Sequence, residues 1–133
     1  MGSGAEREGR PLRPSGRTTL AEAVLATGFG YDPHMRIREA RTLTDLIGRI
    51  ADIRRSGSAA MDLCAVASGE VDAYFELHLA PWDTAAGAVV VEAAGGVFRQ
   101  FDQPDGERLT VASPVGLLEP LLGLLGDAGL KVG

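Results

Sequence analysis

The chain has 133 residues, 45% of them hydrophobic and 23% charged, with 13 Lys plus Arg against 18 Asp plus Glu for a net charge of −5. That balance suits one soluble globular domain rather than a disordered tail, and the lack of a clustered basic stripe argues against nucleic acid as a partner. A single cysteine, Cys64, excludes an intramolecular disulfide framework, and the longest purely apolar run, residues 63–67, is too short to span a bilayer. With no membrane segment and no apolar secretory segment behind the N-terminus, the expected compartment is the reducing cytoplasm.

Residues 1–17 are rich in Gly, Arg, Pro and Ser, with turn chemistry at Gly9-Arg10-Pro11 and Pro14-Ser15-Gly16. Ala23-Val24-Leu25-Ala26-Thr27-Gly28 reads as a short buried strand reaching a glycine turn. Tyr31-Asp32-Pro33 reads as a turn, because the residue before a proline is pushed out of the helical region. From residue 35 to about 50 the period changes. Ile37, Ala40, Leu43, Leu46, Ile47 and Ile50 recur at three- and four-residue steps, which predicts a helix burying that face. Arg36, Arg38, Glu39, Arg41 and Asp45 take most of its other faces.

Residues 51–54 suit a short strand, and residues 58–68 a helix stopped by Gly69, which tolerates left-handed geometry. Over residues 73–79, Tyr74, Glu76 and His78 alternate with Phe75, Leu77 and Leu79, as in a strand. Residues 84–94 read both ways: Val89-Val90-Val91 favours a strand, the alanines and the Asp83 start a helix. Gly95-Gly96 ends that segment; residues 97–101 and 109–112 read as strands about an Asp105-Gly106 turn. A leucine-rich helix over residues 117–125, with Pro120 near its first turns, closes the chain. Strands and helices alternate without repeats, so the fold class is α/β.

Several residues could carry chemistry, each with a plainer alternative. Gly57-Ser58-Ala59 opens a helix, where a serine oxygen caps a backbone N–H, or where the free N–H groups receive an anion or hydroxyl. Glu76 reads as a solvated strand residue. Asp83 reads as a helix cap, or as a carboxylate able to ligate a hard cation such as Mg²⁺. His34 and His78 lack metal-binding spacing and suit surface or hydrogen-bonded roles. Cys64, beside Leu63, Ala65 and Val66, is expected to be a buried, inert thiol. Ser56 and Ser58 lack a neighbouring histidine, Arg54-Arg55 could attract a phosphate but reads more simply as solvated, and no Gly-x₄-Gly-Lys phosphate loop occurs.

Three stretches together resemble the C-terminal half of the inositol monophosphatase family. They are Gly57-Ser58-Ala59-Ala60-Met61-Asp62-Leu63-Cys64, Gly69-Glu70-Val71-Asp72-Ala73-Tyr74-Phe75-Glu76 and Pro81-Trp82-Asp83-Thr84-Ala85-Ala86-Gly87. The Trp-Asp-x-Ala-Ala-Gly segment, followed by Glu92-Ala93-Ala94-Gly95-Gly96, looks like that family's second signature. Glu22-Ala23-Val24-Leu25-Ala26-Thr27-Gly28-Phe29 and Tyr31-Asp32-Pro33 match its wording too, so the likeness runs from about residue 18 to 125. The resemblance implies a helix over 84–94 and a mixed β-sheet flanked by helices. It divides the chain into a turn-rich segment 1–17, a domain over 18–129 and a tail 130–133.

The resemblance also implies Mg²⁺-dependent hydrolysis of a small phosphate monoester such as an inositol phosphate. In that reading Asp83 binds the metal and lies close to a substrate hydroxyl. Gly57, Ser58 and Ala59 touch the substrate at the helix start, and Glu76 bonds a ring hydroxyl. The metal polarises the phosphoryl group and activates water. The family's remaining metal ligands, a glutamate and an Asp-Pro-x-Asp-Gly-Thr signature, are missing. Asp32-Pro33-His34-Met35 has only the first two letters, and Asp102-Gln103-Pro104-Asp105-Gly106 has the wrong order. One aspartate cannot satisfy a cation that takes about six oxygens. The expectation is a fragment or split half that hydrolyses poorly by itself and works in a longer enzyme, with a complementing N-terminal half or as a homo-oligomer. The alternative is a non-catalytic, partner-binding remnant of the same fold.

Overall fold

Glu8 and Gly9 have φ of 53° and 74°, the two left-handed residues that a tight hairpin turn needs. They join β1 (Glu6–Arg7) to β2 (Arg10–Pro11) in the computed structural model, which describes residues 6–133. The turn therefore falls just before Arg10-Pro11, and those two residues pair with Arg7 and Glu6 instead of turning.

A single 3₁₀ turn, Leu20–Glu22, leads into β3 (Val24–Ala26). Asp32 starts α1 (Pro33–Leu46): its carboxylate accepts the His34 N–H at 2.8 Å, and Pro33 fills the first helical position, where its missing N–H matters least. A 3₁₀ turn, Ile47–Arg49, follows, then β4 (Asp52–Arg54), α2 (Ala59–Ser68) and β5 (Ala73–Glu76). Ser58 caps α2, and Gly69 ends it at φ 79°. The rest is α3 (Pro81–Ala93), β6 (Val97–Asp102), β7 (Arg108–Ser113), a 3₁₀ turn Val115–Leu117 and α4 (Leu118–Asp127).

The five longer strands form one sheet in the order β4-β3-β5-β7-β6. β3 lies parallel to β4 and β5, whereas β7 runs antiparallel to β5 and β6. Period-two alternation sorts the side chains to two faces. Leu25, Phe75 and Val111 join Leu46 of α1 and Leu121, Leu124 and Leu125 of α4 in one core. Their neighbours Ala26, Tyr74 and Ala112 join Leu63 and Val66 of α2 and Val91 of α3 in the other. The result is an α/β fold, a mixed sheet with helices on both faces. No helix among the described residues is long and apolar enough to cross a membrane.

Two helices depart from their hydropathy. α1 buries Leu46 and leads to buried Ile50, but Ile37 and Ile47 are 52% and 47% exposed, while Glu39 is buried. Glu39 is tolerated inside because its Oε1 accepts the Gly30 N–H at 3.0 Å, a bond that a periodicity argument cannot see. In α3 the three-valine run is helical. Val91 is buried and Val89 faces solvent, while Gly87 lies directly against Leu63 of α2.

Candidate functional site

The carboxyl ends of β3, β4 and β5 point to one edge of the sheet, and ligands of open α/β sheets bind outside such ends. Thr27 and Gly28 follow β3 there. Arg55, Ser56 and Gly57 connect β4 to α2, and Glu76 ends β5. Gly57 takes φ 88°, which turns the chain into the first turn of α2.

The two serines of that connection serve the helix start. Ser58 Oγ accepts the Met61 N–H at 3.2 Å, and Ser56 Oγ accepts the Ser58 N–H at 3.0 Å. The capping reading of Ser58 is thus borne out as geometry. A capped helix still presents first-turn N–H groups, here those of Ala59 and Ala60, without an intrahelical acceptor. Asp62, one turn further, is 4% exposed. Burial pushes its carboxyl above the ordinary range, against the opposing pull of Ser56 and Arg55.

Tyr74 and Glu76 are two apart on β5 and so share a face. The buried Tyr74 hydroxyl donates to Glu76 Oε1 at 2.6 Å. Burial raises the Glu76 carboxyl; the Tyr74 bond and Arg55 lower it, while Asp62 and Glu39 raise it further. The Tyr74 phenol is driven far above its usual range, first by burial and then by Glu76, Asp62 and Asp83, so it remains a fixed donor. Three carboxyl groups from α2, β5 and α3 therefore act on one hydroxyl. Gly28 completes the arrangement: a Cβ there would fall 2.6 Å from Glu76 Cδ, so the carboxyl group lies across the bare glycine backbone.

Asp83 is not the cap of α3. Ala80 occupies that position, and Asp83, three residues in, accepts the Ala80 N–H through Oδ2 at 3.1 Å. Asp83 still suits cation binding, since a carboxylate has a second oxygen and several lone pairs. Among the described residues, however, no group of three or more His, Cys, Asp or Glu side chains is arranged to hold a metal ion. These residues do not by themselves fit a full Mg²⁺ coordination sphere, and Asp83 fits as one donor.

Other expectations meet mixed outcomes. Cys64 is exposed, because it falls on the face of α2 opposite buried Leu63, Val66 and Ala67; its apolar neighbours in sequence are not its neighbours in space. His34 lies at the surface, and His78 is sequestered beside Glu107. Arg54 pairs with Asp52 at 2.5 Å. The sequence does not single out Asp62 or Tyr74, while Gly28 reads there as a turn and Arg55 as a solvated residue able to attract a phosphate. A signal for two of them existed: Tyr74 shares a strand face with Glu76, and Asp62 lies four residues after Ser58 on one helix face.

The match that decides the family is broad. A model of the inositol monophosphatase family fits residues 1–126. The chain belongs to the inositol monophosphatase family. It is 41% identical over 122 residues to the inositol-1-monophosphatase SuhB of Mycobacterium tuberculosis H37Rv, covering 90% of this chain and 42% of that protein. It is 44% identical over 104 residues to the Nus factor SuhB of Escherichia coli K12, covering 75% of this chain and 38% of that one. In three dimensions it is similar to Mycobacterium tuberculosis SuhB, with a TM-score of 0.80 at 39% identity, covering 89% of this chain and 46% of that chain. An inositol monophosphatase from Anabaena gives a TM-score of 0.81 at 33% identity over 96% of this chain and 54% of that one. This member of the inositol monophosphatase family thus spans less than half the length of the curated relatives it matches.

Proposed function

We propose that the chain contributes the substrate-facing half of a Mg²⁺-dependent phosphatase acting on a small phosphate monoester such as an inositol phosphate. What carries the reading is the hydrogen bond from Tyr74 to Glu76 over the bare backbone of Gly28, at the same edge of the sheet as the start of α2. Gly57, Ser58 and Ala59 contact the substrate at that helix start, where the free N–H groups of the first turn donate to a substrate oxygen and the helix dipole favours negative charge. Glu76, oriented by Tyr74, accepts a hydrogen bond from a ring hydroxyl. Asp83 lies close to a substrate hydroxyl and supplies one oxygen to Mg²⁺. The remaining donors come from a complementing N-terminal half or from a longer enzyme, and the metal supplies charge neutralisation at the phosphoryl group. In this reading the working unit is residues 18–129, flanked by 1–17 and 130–133, in the cytoplasm.

The test is reassembly. The purified chain is assayed with Mg²⁺ and inositol 1-phosphate, alone and after mixing with the portion of the Mycobacterium tuberculosis relative that the match does not cover. Weak or no turnover alone, with Mg²⁺-dependent turnover in the mixture that is lost with Asp83→Asn, is the expected result. A stable mixed complex with no activity refutes the reading. So does strong activity of the chain alone that survives Asp83→Asn.

A second reading has its own support. Met61, Trp82 and Val89 of α2 and α3 are 66%, 80% and 67% exposed, and several similar proteins carry the name Nus factor SuhB. A non-catalytic, partner-binding role would appear as salt-insensitive oligomers or complexes in gel filtration, with no effect of Mg²⁺.

A further inference from the structure

The backbone that carries Gly28 out of β3 is fastened on two sides by groups that the proposed chemistry does not use. On the sheet side, the Thr27 N–H donates to the Arg54 carbonyl at 3.0 Å, and the Thr27 hydroxyl donates to the Phe75 carbonyl at 2.7 Å. The second bond ties the loop to the residue directly before Glu76. On the helix side, α1 takes up both backbone groups of a single residue, Gly30. Its N–H donates to Glu39 Oε1 at 3.0 Å, and its carbonyl accepts from Arg36 Nη1 at 3.1 Å. The Arg36 guanidinium also lies 5.4 Å from the centre of the Phe29 ring, a cation over an aromatic face.

Arg36 and Glu39 are three residues apart and so are neighbours on the surface of α1. Helical spacing thus sets one donor and one acceptor against the same loop residue, while the Asp32 cap fixes where that helix begins. A buried carboxylate is costly unless it is bonded, and Glu39, 7% exposed, commits Oε1 to this loop N–H. Gly28 lies between the two sets of bonds, and the Glu76 carboxyl lies across it. Glu39 and Glu76 line one crevice with Thr27, Gly28 and Phe29, so a shift of the loop is felt directly at the Glu76 carboxyl.

We propose that Glu39, with Arg36, is a positioning residue for substrate binding: the two side chains hold Gly30 so that Gly28 stays beneath the Glu76 carboxyl and keeps it aimed at the substrate hydroxyl. This rests on reading Glu76 as the acceptor of a ring hydroxyl. What Glu39 contributes is an acceptor oxygen rather than a charge, so glutamine serves in its place and alanine does not.

Glu39 also raises the Glu76 carboxyl through its charge, so bond and charge have to be separated. The chain alone is followed by NMR as the wild type, Glu39→Gln, Glu39→Ala and, for an exposed position on the same helix, Arg41→Ala. Exchange of the Gly30 amide with deuterated water should be slow in the wild type, Glu39→Gln and Arg41→Ala, and about tenfold faster or more in Glu39→Ala. Both Glu39 variants lack the charge, so only the lost bond can separate their Glu76 titrations. That of Glu39→Ala should lie closer to the ordinary carboxylate range, as water reaches the group. Equal exchange in the two variants, or identical Glu76 titrations, overturns the proposal. In the reassembled enzyme, Glu39→Ala should raise KM about tenfold with kcat little changed, and Glu39→Gln should recover most of that loss. Equal losses in both variants while both still melt cooperatively, or a fall in kcat at constant KM, overturn the positioning role. Arg36→Ala, which frees the Gly30 carbonyl, should raise KM as well, and an unchanged KM overturns the part given to Arg36. An inactive wild-type mixture, or a KM that Glu76→Gln leaves unchanged, fails the site reading instead. Amide exchange and the Glu76 titrations then decide the fastening of the loop by themselves.

Discussion

Replacing Gly87 with alanine sets two opposing effects against each other, and the structure decides the sign. In a helix interior alanine is better than glycine by about 1 kcal/mol, because glycine loses more backbone freedom on folding. A methyl at Gly87, however, would fall 2.8 Å from Leu63 Cβ and 3.1 Å from Leu63 Cγ. The first of these atoms is fixed to the backbone of α2, so no rotamer change relieves it and the two helices must part. Leu63, Val66 and Val91, all fully buried around that contact, would lose close packing. Overpacking of this kind costs about 1–3 kcal/mol, and a backbone-fixed clash belongs at the upper end. The net expectation is a loss of roughly 1–2 kcal/mol, which lowers Tm by about 3–7 °C for a chain of this size. Calorimetry on both proteins reads this directly. A double-mutant cycle with Leu63→Ala sharpens it: the second change removes Cγ but leaves Cβ, so rescue should be partial, with a coupling of about 1 kcal/mol. An unchanged or raised Tm, or zero coupling, would refute the claim that Gly87 exists for close approach.

Two further outcomes concern the site. Gly28→Ala puts a methyl 2.8 Å from Glu76 Oε2, at the movable end of a side chain, so the carboxyl should swing aside and break the bond from Tyr74. Because charged-acceptor bonds contribute about 1.5–3 kcal/mol, KM of the reassembled enzyme should rise roughly tenfold or more while kcat changes little; an unaltered KM would contradict the role given to Glu76. The second outcome follows from proton linkage. Burial raises the Glu76 and Asp62 carboxyls above 4.5 and 3.8, so the native state holds protons that the unfolded chain has released. These two groups therefore favour the folded state less as pH rises through and above those values. Urea midpoints at mildly acidic and neutral pH should show that slope flattened in Glu76→Gln and Asp62→Asn, and an unflattened slope refutes the assignment.

Punctuation residues made much of the fold legible. Ser58 and Gly69 mark the ends of α2 at the residues where the structure ends it, whereas Asp32-Pro33, which reads as a turn, is the cap and first residue of α1, two residues before the helix expected from residue 35. The misreadings share one cause, in that hydropathy along the chain does not reveal which polar groups find partners in space. Glu39 is buried because a backbone N–H from nine residues earlier meets it, which displaces the apolar stripe expected from Ile37 and Ala40. The period of the α3 valine run favours neither a strand nor a helix, and only the resemblance marks it as helical. Glu76 and Asp83 stand out in the sequence as candidates. Tyr74 and Asp62 do not, since they lie on a strand and a helix that are separated in sequence.

The strand polarity of the sheet has a consequence for how the chain assembles during synthesis. β6 and β7 are joined by a turn of five residues, so their pairing closes a small loop at little entropic cost. The parallel register of Leu25 with Ala73 instead brings together residues 48 apart, across α1, β4 and α2. A ribosome delivers β3 first and β5 only after those intervening elements have emerged. The glycine that receives Glu76 thus waits, with one edge of its strand unpaired, for the carboxyl that will cover it. Until then β3 is the segment most open to wrong pairing, and a chaperone or early packing of α1 has its greatest effect in that interval.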